Sequence, residues 1–576
     1  MSQRKIRKLR KQQALKRIGV KEVVGSEIRQ IGIRQILKEN WKFLLLLCVG
    51  IFWLYFNSLW GDFVSDDYAS ITQNPGILDA RYMFTNFNFV SVSTYLIVKI
   101  FGITSPVPYH FFSLSVYMLS CLAAFVLIYV LFDKKTTKLA MILFAVLPVH
   151  VEAVSWISGK PYLIVSLFVL ISLNFMVLYL KKGDFRYLTF MLVSFFCAFM
   201  GDRIRALSFL FTGFWFLLSY NHKLKKPVNL FYVFLVSGAV MFLAGLIFWP
   251  LIQNRINSVN FGYKGDGSVF YDPFFQYPTA IAKYLQLLFM PVDLTLYHTM
   301  FTFPVWLNWL ILLSYIVVVI YFWFKDRNIF FALGFIFMAT APSMAPAKVS
   351  WLVAERYAFL GSLGWCVFLA ILWQKYLSNL QILRVMALIF IISLYMIETF
   401  VRNIDWQTNH NLWVATVQVS PNSHNAWNNI GDDYDKLGDY ANSIKGFTQS
   451  TVYKTNYADA YHNRANIYFK IGYYDLARES YEIALSYNPN LMQTYISLTQ
   501  IDLNEGKIDL ALRHSIKATE IDPNNPQVWY VLGVVYAQSG QTDKAEDSFN
   551  NSLRVSPTFK PSRDALLELK NIKSTS

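Results

Sequence analysis

The hydrophobic positions of this chain gather into long blocks between residues 41 and 401, and short polar links separate one block from the next. About eleven blocks approach or reach the roughly 20 residues that a helix needs to cross a bilayer. They lie at residues 41–60, 111–132, 139–157, 162–180, 187–201, 203–220, 229–250, 303–324, 328–345, 356–374 and 383–401. Blocks of this length predict an all-α, polytopic membrane domain.

The pattern changes after residue 402, where polar residues dominate and large aromatic residues recur every 34 positions. A set of glycines follows the same step, and the two series are Trp427, Tyr461, Tyr495 and Trp529, and Gly438, Gly472, Gly506 and Gly540. A period of 34 residues is that of the tetratricopeptide repeat (TPR), a helix–turn–helix unit that stacks into an α-solenoid. Four repeats are predicted, followed by a capping helix near residues 559–572.

These two patterns divide the chain into five predicted segments. They are a basic tail at 1–42, a membrane domain at 43–402, a junction at 403–421, four TPR repeats at 422–557, and a capping helix with a tail at 558–576. The composition agrees, since 55% of the 576 residues are hydrophobic and only 15% are charged, which is more apolar than an ordinary soluble domain.

Basic residues predict which ends of the spans face the cytoplasm. Residues 1–42 hold 13 Lys and Arg against 3 Glu, a net charge of +10 (13 − 3), and cytoplasmic links of membrane proteins carry such an excess. Counting eleven spans from a cytoplasmic tail also places the short Lys/Arg clusters on that side. Residues 61–110 and the TPR array are then extracytoplasmic, in a bacterial inner membrane or an endoplasmic reticulum.

Several classes of function are not expected. All four cysteines lie within the apolar blocks, which argues against a disulfide framework or a thiolate metal site. Residues 421–576 carry 15 Lys and Arg against 18 Asp and Glu, close to neutral, so no nucleic-acid partner is expected. The basic tail is explained more simply by its retention in the cytoplasm.

A set of ionisable side chains lies at the predicted extracytoplasmic ends of the spans. Its main members are Asp66, Asp67, His150, Glu152, Lys160, Arg203, Arg205, Glu355 and Arg356. Ionisable groups this close to hydrocarbon are functional candidates by default. The alternative for each one is a solvated loop end or a helix cap. A pair spaced like His150 and Glu152 is more often a hydrogen-bonded core pair than a pair of metal ligands.

Four segments, in order along the chain, carry a resemblance to a known family. They are FVSDDYASITQNP (63–75), LFAVLPVHVEAVSWISGKP (143–161), AERYAFLGSLGWC (354–366) and RNIDWQTNHNLW (402–413). They resemble motifs of the transmembrane-and-TPR O-mannosyltransferase (TMTC) family. The chain departs from the family pattern at Leu147, Lys160 and Gly361, and at residues 201–203, where the family tends to have Lys-Glu.

The resemblance implies a GT-C fold, in which a multispan glycosyltransferase takes a sugar from a polyprenyl- or dolichyl-phosphate carrier. Such a carrier keeps its reactive carbon at the membrane surface, so the site is expected at the outer ends of the spans. A carboxylate there can accept the proton of an incoming hydroxyl or hold a metal, and cations stabilise the departing phosphate. The catalytic candidates are Asp66 and Asp67, with one acting as base and the other structural; the phosphate-binding candidates are Lys160, Arg203, Arg205 and Arg356; further site candidates are His150, Glu152 and Glu355.

Three functions stay open from the sequence. The first is transfer of a mannose-like sugar to hydroxyl groups of exported proteins, with the TPR array binding the acceptor or a partner protein. The second is a lipid-linked-sugar transferase or ligase that acts on a glycan or a lipid. The third is a membrane scaffold without catalysis that uses only its TPR surface. The lipid-phosphate-linked sugar is the expected donor, and a divalent metal is the one cofactor left open.

Overall fold

The computed structural model describes residues 32–81, 89–224, 227–262, 272–301, 303–344, 351–376 and 381–575. Over these residues the chain is helical and contains no β-strand, as the hydrophobic pattern predicts. Two compact units are present, one ending at Ala415 and the other beginning at Thr416. The boundary lies within the junction that the sequence predicts at 403–421.

The first unit is built from sixteen α-helices, counted over the described residues and numbered here in chain order. Helices α1 to α8 are Ile33–Leu54, Phe89–Phe101, Val107–Leu131, Lys134–Val146, Val151–Ser155, Lys160–Lys182, Phe185–Gly201 and Ser208–Tyr220. Helices α9 to α16 are Leu230–Gly262, Pro273–Phe289, Val305–Lys325, Arg327–Thr340, Glu355–Ala358, Ser362–Tyr376, Gln381–Asp405 and Asn409–Val419. Every apolar block predicted from the sequence coincides with one of these helices or with a bent pair of them.

Five segments among the described residues are long and apolar enough to cross a membrane on their own. They are Val107–Leu131, Ile157–Lys182, Val305–Lys325, Arg327–Met344 and Ile382–Asp405. A sixth arises if Lys134–Val146 and Pro148–Ser155, which meet at a bend of 57°, form one broken span. The protein is therefore a membrane protein, while the count of eleven spans stays a prediction.

The other predicted spans fall short for identifiable reasons. Helix α1 includes Arg34, Lys38, Glu39 and Lys42 in its first half, which lowers its hydropathy. Helices α7, α8 and α14 have 17, 13 and 15 residues, so each is shorter than a full crossing of straight helix. Short apolar helices can still lie in the hydrocarbon when neighbouring helices cover their ends.

Burial separates the long helices into two kinds. In α3 and α6, 72% of the apolar window is buried inside the protein, whereas in α11 and α15 the figure is 6%. Helices that are apolar all round yet exposed need an apolar solvent. We conclude that α3 and α6 form the centre of the unit, and that α11 and α15 face lipid.

Two predicted loops contain helices that the sequence analysis missed. Helix α2 lies within residues 61–110, and α10 lies within residues 251–302, where α9 also extends as far as Gly262. Both α2 and α10 are apolar on average but have only 13 and 17 residues. Polar residues such as Lys99 in α2 and Lys283 in α10 interrupt these runs, so neither forms an unbroken apolar block.

Aspartates begin the helices that follow three of the polar links. Asp133 accepts hydrogen bonds from the backbone N–H groups of Lys135 and Thr136 at the start of α4. Asp184 and Asp326 do the same at the starts of α7 and α12. A side-chain cap of this kind stabilises a helix by roughly 1 kcal/mol. These three links, which are predicted as cytoplasmic, are therefore short turns that end in defined helix caps.

The second unit confirms the 34-residue repeat. Its helices α17 to α25 are His424–Lys436, Tyr440–Tyr453, Ala458–Lys470, Tyr474–Tyr487, Met492–Asn504, Ile508–Ile521, Pro526–Gln538, Thr542–Val555 and Lys560–Thr575. The four periodic glycines have φ between +73° and +85°, a conformation that glycine adopts without strain. The final helix α25 places Leu566 and Leu569 against Ala545 and Phe549, which caps the apolar face of the last repeat.

The predicted topology can be tested by cysteine labelling in a cysteine-free background. Thr104 is exposed, whereas Ser91, in the same predicted extracytoplasmic stretch, is buried in α2. We expect Thr104→Cys and Gln538→Cys to react with an impermeant maleimide in intact cells. Lys135→Cys, on an exposed link predicted as cytoplasmic, should react only after permeabilisation. Labelling of only one of the first two positions would show that the span count is wrong.

Candidate active site

The two aspartates of FVSDDYASITQNP sit in a tight turn that sends their side chains to different environments. Ser65, just before them, has a φ of +54°, which is unusual for a residue other than glycine. Its backbone N–H donates to the Asn409 Oδ1 at 2.9 Å, and this bond stabilises the turn. As a result Asp67 is fully buried, while the Asp66 side chain is exposed.

Asp67 serves as a hydrogen-bond acceptor that ties the turn to the start of α6. Its Oδ1 accepts bonds from the backbone N–H of Ser158, at 2.8 Å, and from the Ser158 hydroxyl. Its Oδ2 accepts from the Val64 N–H at 3.1 Å. Burial raises the pKa of Asp67 to about 6, although these hydrogen bonds and the charge of Lys160 lower it. Both oxygens are thus engaged in holding the local structure.

Asp66 differs from Asp67 in its hydrogen bonding and in its exposure to solvent. Among the described residues its carboxylate has no hydrogen-bond partner, and its side chain reaches solvent. The surrounding protein still removes enough water to raise the pKa of Asp66, while the positive charge of Arg356 lowers it. Asp66 therefore combines a free carboxylate, contact with solvent and a nearby guanidinium.

That guanidinium is held by a buried ion pair between two short helices. Glu152 in α5 is fully buried, and one of its oxygens accepts a hydrogen bond from the backbone N–H of Arg356 at 2.8 Å. The other oxygen pairs with the Arg356 Nη1. The Arg356 Nε donates to the Tyr162 hydroxyl at 3.2 Å. Nη2 has no hydrogen-bond partner in the described part of the chain, so it can donate to a ligand.

A second cation joins this group through aromatic rings. The rings of Tyr162 and Tyr357 stack with centroids 5.6 Å apart. The Arg356 guanidinium lies 5.6 and 5.0 Å from their centroids, and the Arg205 guanidinium lies 4.2 and 5.2 Å from them. The two tyrosines thus hold two cations close together and partly shield them from each other. Asp202 anchors Arg205 from the opposite side as an ion pair.

Lys160, the third predicted cation, has an internal role in the structure. It is buried, and its Nζ donates to the Thr94 hydroxyl at 2.5 Å and lies 5.4 Å from the centre of the Tyr109 ring. Its charge acts on Asp67. Next to it, a Cβ on Gly159 would lie 2.7 Å from the Glu152 carbonyl oxygen, so only glycine permits the close approach of this turn to α5.

The remaining sequence candidates lie in different places. His150 is buried among the rings of Phe144 and Phe359, with its Nδ1 3.0 Å from the Tyr117 hydroxyl and its Nε2 2.8 Å from the Ser362 hydroxyl. Those contacts are typical of a core histidine. Arg203 is half-buried in the turn before residues 205–207.

Glu355 belongs to a second buried cluster, beside Arg356 in the chain. It accepts a hydrogen bond from the Thr295 N–H at 2.5 Å, and it lies 3.3 Å from His298 Nε2 and 3.6 Å from Arg402 Nη2. Arg402 also pairs with Asp405 at 2.9 Å. Burial lowers the pKa of His298, although Glu355 raises it. Arg402, with 1% of its side chain exposed, is the main counter-charge of Glu355.

Some residues of the site were not predicted from the sequence. They are uncharged side chains that contact the predicted charges, namely Tyr162, Tyr357, Ser158 and Thr94. Their closeness in sequence to the predicted charges could have indicated three of them. Tyr162 and Ser158 lie two positions from Lys160, and Tyr357 follows Arg356. Thr94 belongs to a helix that is distant in sequence from Lys160, so the sequence gives no indication of this contact.

This arrangement provides a solvent-exposed carboxylate near the charge of Arg356, and the Arg205 guanidinium shares two tyrosine rings with Arg356. Such a site can accept a proton and bind an anion at the same time. Among the described residues, no group of three or more His, Cys, Asp or Glu side chains is placed to hold a metal ion.

Comparison with known protein families identifies the repeats of the second unit. Two family models described as tetratricopeptide repeat match residues 458–491 and 516–547. The chain carries TPR repeats. These matches correspond to helices α19 and α20 and to the region from α22 to α24.

Comparison with curated proteins finds O-mannosyl-transferases. Protein O-mannosyl-transferase TMTC3 of Mus musculus is 29% identical over 127 residues, which cover 22% of this chain and 12% of the relative. Tmtc3 of Drosophila melanogaster is 24% identical over 143 residues, 23% of this chain and 15% of the relative. The resemblance inferred from the four motifs is confirmed. The match spans only a small part of each relative's length.

Comparison with solved structures finds proteins that cover about a quarter to a third of this chain. The crystal structure of MamA has a TM-score of 0.25 and 21% identity, and covers 27% of this chain and 90% of MamA. The structure of YrrB, described as a TPR protein with an unusual peptide-binding site, has a TM-score of 0.25 and 17% identity. It covers 34% of this chain and 96% of YrrB.

The different environments of the two aspartates predict different effects on stability. An amide at position 67 would turn its NH2 group toward an N–H of Val64 or Ser158, which leaves a buried donor without a partner. Asp67→Asn should lower the free energy of unfolding by about 1–3 kcal/mol, measured by thermal unfolding in detergent. Asp66→Asn should leave the melting temperature unchanged, as should Asp62→Asn at an exposed position in the same loop. Equal destabilisation by Asp66→Asn and Asp67→Asn would contradict this assignment.

Proposed function

We propose that the protein is a membrane glycosyltransferase of the GT-C type, which moves a mannose-like sugar from a polyprenyl- or dolichyl-phosphate donor to hydroxyl groups of exported proteins. The observation that carries this proposal is the free Asp66 carboxylate beside the buried Arg356. The names of the O-mannosyl-transferase relatives support the reaction class. The apolar helices of the first unit support a membrane-embedded donor.

In this proposal the donor phosphate binds at the two guanidinium groups. Arg356 offers its Nη2, and Arg205 lies against the same two tyrosine rings, Tyr162 and Tyr357. As the bond between the sugar and the phosphate breaks, negative charge grows on the phosphate oxygens. Fixed cations next to those oxygens stabilise the charge as it develops, and this favours the transition state over the ground state.

Asp66 is the proposed base. It would accept the proton of the acceptor hydroxyl while the hydroxyl oxygen attacks the sugar carbon. An acceptor must enter from water, and Asp66 is the carboxylate of the pair that reaches solvent. Burial raises its pKa, and a carboxylate with a raised pKa is a better proton acceptor than an ordinary aspartate.

The other charged groups act as positioning residues. Glu152 holds Arg356, Asp202 holds Arg205, and Asp67 fixes the turn that carries Asp66. Lys160 balances the buried charge of Asp67 and sits against Thr94. This assigns Lys160 a structural task, although the sequence made it a phosphate-binding candidate.

The TPR array is proposed to bind the acceptor or a partner protein, since TPR surfaces are protein-binding surfaces in general. A glycan or lipid acceptor is the alternative within the same reaction class. The exposed position of Asp66 is compatible with either acceptor. The sugar, the acceptor and the extracytoplasmic location are all part of the proposal.

Removing the proposed base should abolish transfer without unfolding the protein. Asp66→Asn keeps the shape of the side chain but cannot accept a proton, so transfer of labelled sugar from lipid carrier should fall by about 100-fold or more. Asp62→Asn, in the same loop and also exposed, is the matched control and should keep full activity. Full activity in the double variant Asp66→Asn/Asp67→Asn would remove both aspartates from the catalytic role.

Neutralising the buried ion pair should change both donor use and pH dependence. The double variant Glu152→Gln/Arg356→Gln replaces the pair by two amides, which avoids a lone buried charge. We expect the KM for lipid donor to rise roughly 10- to 100-fold, since a charge-assisted contact is lost. The acid limb of kcat/KM should move to higher pH, because Arg356 normally lowers the pKa of Asp66.

The single variant Arg356→Lys separates these two effects. It keeps the positive charge near Asp66, so the acid limb should stay in place. It loses the planar group that stacks on Tyr357, so the KM for donor should still rise. An unchanged donor KM in both variants would remove Arg356 from the phosphate site.

A further inference from the structure

The short stretch of chain between α15 and α16 contacts the loop that carries the candidate base. This linking segment, residues 403–409, runs from the last turn of α15 to the first residue of α16. The Asp66 loop, residues 55–67, follows α1 and forms only a short 3-10 turn at Phe56–Trp60 before the two aspartates. Backbone N–H and C=O groups of such a loop need hydrogen-bond partners from elsewhere in the protein. The linking segment supplies several of them.

Two residues of the linking segment bond to the first part of the Asp66 loop and to the helix end before it. Asn403 is fully buried, and its Nδ2 donates to the Leu54 carbonyl and to Asn57 Oδ1, both at 3.1 Å. Gln407 donates from Nε2 to the Asn57 carbonyl at 3.1 Å. The Gln407 carbonyl accepts from the Asp62 N–H at 2.8 Å. The path of the loop therefore depends on these two residues.

A third residue, Asn409, acts directly before Asp66. Its Oδ1 accepts the Ser65 N–H at 2.9 Å, and Ser65 has a φ of +54°. A residue other than glycine adopts such a φ only when its surroundings hold it there. If Ser65 returned to a negative φ, the backbone would rotate and the Asp66 side chain would point elsewhere. The bond to Asn409 thus helps to set the direction of Asp66.

The linking segment also contacts the part of the site that holds the cation. Asn403 Oδ1 accepts from the hydroxyl of Ser155, the last residue of α5, at 2.7 Å. The Trp406 ring stacks on the Trp156 ring with centroids 5.7 Å apart. The Trp156 ring centre in turn lies 5.2 Å from the Arg356 guanidinium. One segment of seven residues therefore contacts both the loop of the carboxylate and the surroundings of the cation.

We propose that the linking segment is a positioning element of the active site, which fixes the Asp66 carboxylate relative to the Arg356 guanidinium, with Asn409 as the positioning residue for Asp66. The segment acts through the loop and does not need to touch the substrate. This inference rests on the proposed function, since the direction of Asp66 matters for transfer only if Asp66 is the base. A misplacement of about 1 Å in a catalytic group can cost roughly 100-fold in rate.

The kinetic test removes the acceptor of the Ser65 N–H in the full-length protein. Asn409→Ala should lower kcat for sugar transfer about tenfold or more, while the KM for lipid donor stays, because the contacts of Arg356 are left in place. Asn411→Ala is the matched control and should keep the parent kcat, since the Asn411 amide donates to the Ile404 carbonyl rather than to the loop. A parent-like kcat in Asn409→Ala, or a rise in donor KM alone, would overturn the inference.

A second substitution distinguishes positioning from a general loss of stability. Glycine adopts a positive φ without strain, so Ser65→Gly removes the need for support from Asn409. The double variant Asn409→Ala/Ser65→Gly should therefore recover most of the kcat that Asn409→Ala loses, and Ser65→Gly alone should stay close to the parent. A double variant no more active than Asn409→Ala would overturn the inference, because a merely structural role of Asn409 would not be repaired at position 65.

A labelling experiment measures the position of residue 66 without any sugar transfer. In a cysteine-free background, Asp66→Cys should react with a maleimide at a measurable rate, because the side chain at this position is exposed. Adding Asn409→Ala should raise that rate by about threefold or more, as the turn is released, and adding Ser65→Gly as well should bring it back. An unchanged rate in Asn409→Ala would overturn the inference.

Together with Asp66→Asn, these measurements separate the inference from the proposed function. If Asn409→Ala changes the labelling of position 66 but Asp66→Asn still transfers sugar, the proposed function is wrong and the control of the turn by Asn409 stands. If Asp66→Asn abolishes transfer but Asn409→Ala changes neither kcat nor labelling, the positioning role is wrong and the transferase stands.

Discussion

The ion pair between Glu152 and Arg356 is the constraint on which the candidate site depends. Both side chains are buried, and moving two such charges out of water costs several kcal/mol for each ion. The cost is offset only because Glu152 also accepts the Arg356 backbone N–H, while Arg356 bonds to Tyr162 and lies against aromatic rings. Removing one partner alone would strand a charge, at a cost of about 3–5 kcal/mol. The two short helices are 204 positions apart in the chain, and this pair holds them together.

Once that pair is formed, the positions of the other groups follow. Arg356 carries Tyr357 with it, and Tyr357 stacks on Tyr162 at the start of α6. The same start of α6 brings Ser158 to Asp67, which fixes the turn and turns Asp66 outward. Adjacent carboxylates would repel each other if both were free and close. Here Asp67 accepts hydrogen bonds from backbone N–H groups, and Asp66 is turned to solvent near the charge of Arg356, so the two carboxylates are kept in separate environments.

The sequence was sufficient for the periodic features of the fold, and it named in advance the charged side chains from which the candidate site is built. The 34-residue step predicted the helices and the glycine turns of the second unit, because each repeat solves the same packing problem with the same residue types. The apolar blocks predicted the positions of the long helices for a similar reason. Helices α2 and α10 were missed because polar residues such as Lys99 and Lys283 interrupt their apolar runs, which are then also compatible with a loop.

The roles within the site were harder to predict than its members. From the sequence, the three cations Lys160, Arg205 and Arg356 were all candidates to bind phosphate. In the structure Lys160 bonds to Thr94 and acts on Asp67, whereas the two arginines share a tyrosine stack. His150 and Glu152 are two positions apart, but one packs in an aromatic core and the other holds the critical arginine. Burial and partner choice decide these roles, and both depend on residues from helices that are distant in sequence.

The two units differ in where most of their charged and polar side chains find partners, and each arrangement fits its environment. Near the membrane, buried charges are matched pair by pair, because an unmatched charge in a region of low dielectric is prohibitively costly. In the repeats, many ion pairs lie at the surface, such as Lys470 with Asp435 and Lys436 with Asp432. An unused amide at a wet surface costs little, since water replaces any missing partner. Charge is therefore matched most strictly where it is most deeply buried, whereas polar groups at the surface of the repeats can rely on water.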